Sequence, residues 1–123
     1  MEQFWINGAP GRLIDITDRG LAYGDGLFET IAIRHSAARF LHLHLDRLYA
    51  GTARLGLSAP DRDSLYAQLA AVAADVDEGV MKLILTRGPG PRGYAPAQHQ
   101  QPTVAWGVER LKARGRVMEF VPQ

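Results

Sequence analysis

The sequence predicts an α+β domain in which a mainly antiparallel sheet carries two helices packed on one face. Three observations predict it. Strand-like stretches whose apolar residues alternate lie at both ends of the 123-residue chain. Two stretches of helical period lie together in the middle. The elements are thus segregated by type, the order expected of helices covering one side of an antiparallel sheet. At this length one domain is expected, large enough to bury a core without staples.

Taken in order, "FWINGAPG" reads as a short strand entering a hairpin turn at Asn7-Gly8. "RLIDI" reads as the return strand, followed by a loop from Thr17 to Gly20. "GLFETIAIR" is the third strand, with Leu27, Glu29, Ile31 and Ile33 alternating against Phe28, Thr30, Ala32 and Arg34. "HSAA" is a turn, and "RFL" briefly resumes the ladder. A helix then places Leu41, Leu45, Leu48 and Leu55 on one stripe and ends at Gly56. His44, Arg47 and Arg54 fall on another face. Ser58-Ala59-Pro60 opens a second helix striped by Leu65, Leu69, Val72 and Val76 and stopped by Gly79. "VMKLILTR" is a strand with Met81, Leu83 and Leu85 on one side and Arg87 continuing their direction. The glycine- and proline-rich loop "GPGPRGYAPAQHQQP" follows, then two strand-like pieces, "TVAWGV" and "RVMEFV".

Composition excludes several classes. There is no cysteine, hence no disulfide framework, zinc-thiolate site or thiol nucleophile. A net charge of +1 lacks the electrostatic footprint of a nucleic-acid binder. The start carries no secretory pattern, and no apolar run reaches the roughly 20 residues of a membrane span. A cytoplasmic protein is expected. Only Lys82 and Lys112 are lysines, every other cation being arginine, which leaves few candidates for lysine chemistry.

Three stretches invite a functional reading, each beside a plainer one. In "YGDGLF" the glycines free the backbone for a tight turn with Asp25 bonded locally, or let a ligand approach the chain. Arg47, next to the buried stripe, either reaches its fork into a cleft for phosphate or carboxylate, or pairs on the surface with Asp46 or Asp61. "TRGPGPRGYAP" could gather an anion on guanidinium and backbone N–H groups, or be a surface loop stiffened by proline. It is no P-loop, since no Gly-Lys-Ser/Thr closes it. His42 and His44 are two apart on a helix and point differently, and His35 and His99 lie in turns, so no metal site is expected.

Together, "TDRGLAYGDGLFET", "HLHLDRLYAGTARLGL" and "LILTRGPGPRGY" resemble, in this order, the N-terminal half of the class IV aminotransferase-fold enzymes, which use pyridoxal 5′-phosphate. Within that superfamily the likeness is nearer to the aminodeoxychorismate lyases than to the branched-chain and D-amino-acid transaminases. It covers nearly the whole chain. The resemblance implies that Arg47 binds the cofactor phosphate, that Arg92 and Tyr94 lie where the substrate carboxylate is held, and that Phe28 walls the pocket. It also implies that the Schiff-base lysine belongs to a second, C-terminal domain with no counterpart in residues 1–123. The expectation is a lyase-type N-terminal domain, inactive alone and holding the cofactor weakly. It is expected to work as a homodimer or with the missing domain, on a small amino-acid-like substrate. The alternatives are a transaminase N-terminal domain and a non-catalytic dimerising or anion-binding domain.

Overall fold

The computed structural model describes residues 2–90 and 101–111. Six strands form one antiparallel sheet: β1 (Glu2–Ile6), β2 (Ala9–Pro10), β3 (Gly26–Arg34), β4 (Ala37–Ala38), β5 (Glu78–Thr86) and β6 (Thr103–Arg110). Their spatial order is β2-β1-β6-β5-β3-β4. Three helices accompany it: α1 (Arg19–Tyr23), α2 (Leu41–Leu55) and α3 (Arg62–Ala74). The expected α+β arrangement is present.

The sheet is two-sided because its side chains alternate. Ile31 and Ile33 of β3, Met81, Leu83 and Leu85 of β5, and Val104, Trp106 and Val108 of β6 are buried with Leu41, Leu45 and Leu48 of α2 and Leu65, Leu69 and Ala73 of α3. Each large aliphatic side chain buried there contributes about 1.5–3 kcal/mol. On the opposite face, one rung runs across four strands as Phe28, Ile84, Ala105 and Ile6. The next rung is Thr30, Lys82, Gly107 and Phe4. Phe28 and Ile84 are exposed, so this second face is apolar and open. Among the described residues no helix is long and apolar enough to cross a membrane.

Several local expectations are corrected. The return strand is only Ala9–Pro10, and residues 11–15 leave the sheet. Leu13 and Ile16 find no surface to cover and stand exposed. The loop after Thr17 contains α1, a single turn whose N-cap is Asp18, accepting from the Gly20 N–H, and whose end is Gly24 at φ 68°. In "HSAA" only His35 and Ser36 turn, both at positive φ, and Ala37–Ala38 already pairs back with β3. The ladder's continuation into "RFL" is one bond, Arg39 N–H to the Ala32 carbonyl at 2.8 Å.

Helix ends also shift. Thr52 replaces Leu55 on the buried stripe of α2, and Leu55 is exposed. α3 begins after Asp61, whose carboxylate accepts from the Ser64 N–H, rather than at Ser58-Ala59-Pro60. It ends at Ala74, with Ala73 on its buried stripe, Val72 half-buried and Val76 buried beyond it. Gly79 therefore belongs to β5, where an added Cβ would lie 2.5 Å from the Glu109 carbonyl. "RVMEFV" lies outside the described residues.

Candidate functional site

β4 pairs only with Ile33 and Arg34, so the first part of β3 has no strand on that side. α2 runs beside this free edge. The rim between them encloses a cleft of about 540 Å³ lined by Leu27, Phe28, Glu29, Thr30, Arg47 and Arg54, among others. Arg47 and Arg54 are seven residues apart, two helical turns, and so share one face of α2. Phe28 and Thr30 come from the open face of the sheet and Glu29 from the buried face, so the cleft straddles the sheet's edge.

Arg47 is not paired with Asp46 or Asp61. Asp46 accepts from Arg62 at 2.6 Å, and Asp61 caps α3. Instead Arg47 grips Glu29 with two bonds, Nε to Oε2 at 2.9 Å and Nη2 to Oε1 at 2.7 Å. His44, one helical turn earlier, places Nδ1 2.7 Å from the same Oε1. A carboxylate only accepts, so His44 donates from Nδ1. Glu29 is 6% exposed whereas the Arg47 side chain is 73% exposed. Burial pushes the Glu29 carboxyl up, but the bonds and charges of Arg47 and His44 outweigh it and hold it below its ordinary value. Glu29 in turn raises Arg47. Both members of this pair are charged, and the guanidinium still has unused donors toward the cleft.

In the glycine-punctuated turn Asp25 does not bond only locally. Its Oδ2 accepts from Arg19 Nε at 3.2 Å and from Arg87 Nε at 2.6 Å. The Arg87 bond, more than the Arg19 one, holds its carboxyl below the ordinary range against burial. Beside it Asp18 is fully buried and accepts from the Gly20 N–H, from Thr86 Oγ1 at 2.7 Å and from Thr103 Oγ1 at 2.6 Å. These carboxylates tie α1 to the ends of β5 and β6.

The structure thus brings Arg47 and Phe28 to one cleft. Arg92 and Tyr94 lie outside the described residues. Sequence reasoning had Glu29 only as a core-strand residue and His44 only as a poor metal ligand. A charged residue at an inward position of a strand, opposite a His-x-x-Arg spacing on the next helix, was the available signal. Among the described residues no group of three His, Asp or Glu side chains could hold a metal ion. Lys82 lies on the open face with Nζ 4.9 Å over the Phe28 ring.

Comparison with known proteins gives the chain its family. A family model described as Amino-transferase class IV matches residues 26–115. The aminodeoxychorismate lyase of Vibrio harveyi is 34% identical over 102 residues, which is 82% of this chain and 37% of that protein. The crystal structure of 4-amino-4-deoxychorismate lyase from Pseudomonas aeruginosa is similar with a TM-score of 0.82 and 43% identity, over 90% of this chain and 41% of that one. A hypothetical aminotransferase from Mycobacterium tuberculosis, in a PLP-bound form, shares the fold with a TM-score of 0.73 and 24% identity, over 90% of this chain and 40% of that one. The chain spans about two fifths of the length of these relatives.

Proposed function

Because this chain belongs to the class IV amino-transferase family, we propose that it is the phosphate-binding and pocket-wall portion of a pyridoxal 5′-phosphate-dependent lyase. The proposed substrate is 4-amino-4-deoxychorismate and the products are 4-aminobenzoate and pyruvate. The observation that carries the reading is the state of Arg47. It is charged and fixed at one edge by Glu29, with Nη1 bonded to no described residue, in a cleft that holds a second arginine, Arg54.

The residues present fit a phosphate. Two guanidinium groups exceed the single carboxylate in charge, and an arginine fork matches phosphate oxygens in pairs. Phe28, exposed at the rim, offers a flat apolar wall that keeps water from one side of a bound ring. When bound, the cofactor supplies the electron sink for breaking bonds at an amine-bearing carbon. Arg47 would hold its phosphate, Phe28 would shield it, and Arg92 and Tyr94 would take the substrate carboxylate. Neither Lys82 nor Lys112 is assigned the covalent link to the cofactor. We place that lysine in sequence with no counterpart in these residues, so this chain alone is expected to hold the cofactor weakly and to be inactive. The open apolar face supports assembly with further polypeptide, a second copy or the remainder of the enzyme, in the cytoplasm.

The test is a chimera in which this chain replaces the matching part of the Pseudomonas aeruginosa enzyme. It should bind pyridoxal 5′-phosphate far better than pyridoxal and release 4-aminobenzoate, and Arg47→Ala should abolish the preference for the phosphorylated form. A folded chimera that transaminates amino acids and releases no 4-aminobenzoate would overturn the lyase reading.

A further inference from the structure

We propose that Glu29 and His44 are positioning residues that aim the guanidinium of Arg47 at the anion before it arrives. The inference rests on the phosphate reading of the cleft and adds to it the device that makes Arg47 directional.

A guanidinium has five N–H donors in one plane. Glu29 takes the side-on pair, Nε–H and one hydrogen of Nη2, at 2.9 and 2.7 Å. The end-on edge remains, made of the second Nη2 hydrogen and the Nη1 group, and the two edges diverge by roughly 120°. Among the described residues Nη1 has no hydrogen-bond partner. With the side-on edge pinned, the free edge can point only one way.

The pinning is firm because Glu29 is itself held. It is buried in the middle of a strand paired along its length with β5. His44 donates to Oε1, the oxygen that also takes Nη2, so the carboxylate cannot rotate without losing two bonds. Arg47, by contrast, is a long and largely exposed side chain with rotamer freedom to lose. Ordering it in advance removes that cost from the binding step.

Charge argues in the same direction. A carboxylate next to an anion site repels the ligand, so its presence opposes binding unless it supplies geometry. That opposition separates positioning from charge balance. Glu29→Asp keeps the charge and withdraws the carboxylate by one methylene. Positioning requires Glu29→Asp to weaken binding of inorganic phosphate about tenfold, whereas charge balance leaves it equal to the wild type.

Phosphate affinity of the full chain is measured by 31P NMR titration, alongside the Arg47 Nε–Hε signal, assigned by its loss in Arg47→Lys. In the wild type without phosphate that signal should be sharp and exchange more slowly than that of Arg54. Glu29→Asp should broaden it, and His44→Ala should do so less. An Arg47 signal as exchange-averaged as that of Arg54 overturns the proposal, with no variant needed. So does wild-type phosphate affinity in Glu29→Asp, while wild-type behaviour in His44→Ala removes His44 from it. If Arg47→Ala leaves phosphate affinity unchanged, the phosphate reading falls instead, and the free-protein signal still judges the positioning.

Discussion

Arg87 and Asp25 stand 62 residues apart in sequence and 2.6 Å apart in space, Nε to Oδ2. The same guanidinium donates from Nη1 to the Gly56 carbonyl at 3.1 Å and from Nη2 to the Leu55 carbonyl at 3.0 Å. One side chain at the end of β5 therefore closes the C-terminus of α2, where carbonyls lack helical partners, and fastens the turn that launches β3. Both groups are mostly shielded, at 12% and 19% exposure. Arg87→Ala should lower unfolding free energy by about 1–3 kcal/mol, since it leaves Asp25 with Arg19 alone and removes the donors to two exposed carbonyls. Arg87→Lys, with a point charge in place of a fork, should recover less than half. Urea unfolding curves check both.

Acid should erode the two carboxylate anchors. Asp25 and Glu29 both lie below their ordinary values when folded, so the unfolded chain binds more protons between the folded and unfolded values. Their contribution is complete above the ordinary carboxylate range near about pH 4 and is lost as pH falls through the depressed values. Unfolding free energy should thus decline on the acid side, and Asp25→Asn should flatten the decline while lowering stability at neutral pH. An unchanged slope in that variant would remove Asp25 from the account.

The glycines of "GLAYGDGLF" separate into two kinds. A Cβ on Gly26 would lie 2.6 Å from the Leu85 carbonyl, and one on Gly20 would lie 2.2 Å from Thr86 Cγ2. Neither neighbour can retreat without opening β3 from β5 or releasing Asp18. Gly26→Ala and Gly20→Ala should each cost about 1–3 kcal/mol or more. Gly24 has open space around it but a φ of 68°, so Gly24→Ala should cost only about 1 kcal/mol. Thermal melts of the three variants give the ranking.

On the open face, Ile84 is exposed in the rung it shares with Phe28, Ala105 and Ile6. Ile84→Glu should leave the chain's unfolding free energy within about 0.5 kcal/mol of wild type. It should also reduce self-association seen by light scattering, because a charge breaks the apolar patch. A large loss of stability would mean that the face is covered within the chain itself.

The long elements were legible because period alone specifies them. β3, α2 and β5 each carry three or more apolar residues at one spacing. The short ones were not. α1 is a single turn held by Asp18, whose partners Thr86 and Thr103 lie far along the chain, and no local pattern encodes that reach. The β3–β4 turn uses His35 and Ser36 at positive φ without the usual Asn-Gly signal. Of the site, Arg47 and Phe28 could be assigned by resemblance. Glu29 hid inside an alternating strand, because an inward carboxylate can be told from a packing residue only once its arginine is placed beside it.

The strand order has a consequence for biosynthesis. β1, made before the rest of this sheet, finds its long partner only in β6, at pairs such as Phe4 with Gly107. β3, α2, α3 and β5 can associate as soon as they emerge, and they already contain both Glu29 and Arg47. The β1–β2 hairpin must wait without its β6 partner through nearly a hundred residues of translation, while the β5 edge that takes β6 stays bare, and loop-closure entropy makes the last docking slow. A nascent chain stalled before Thr103 would thus already hold the Glu29–Arg47 pair with only β3, β4 and β5, half of the six strands, joined.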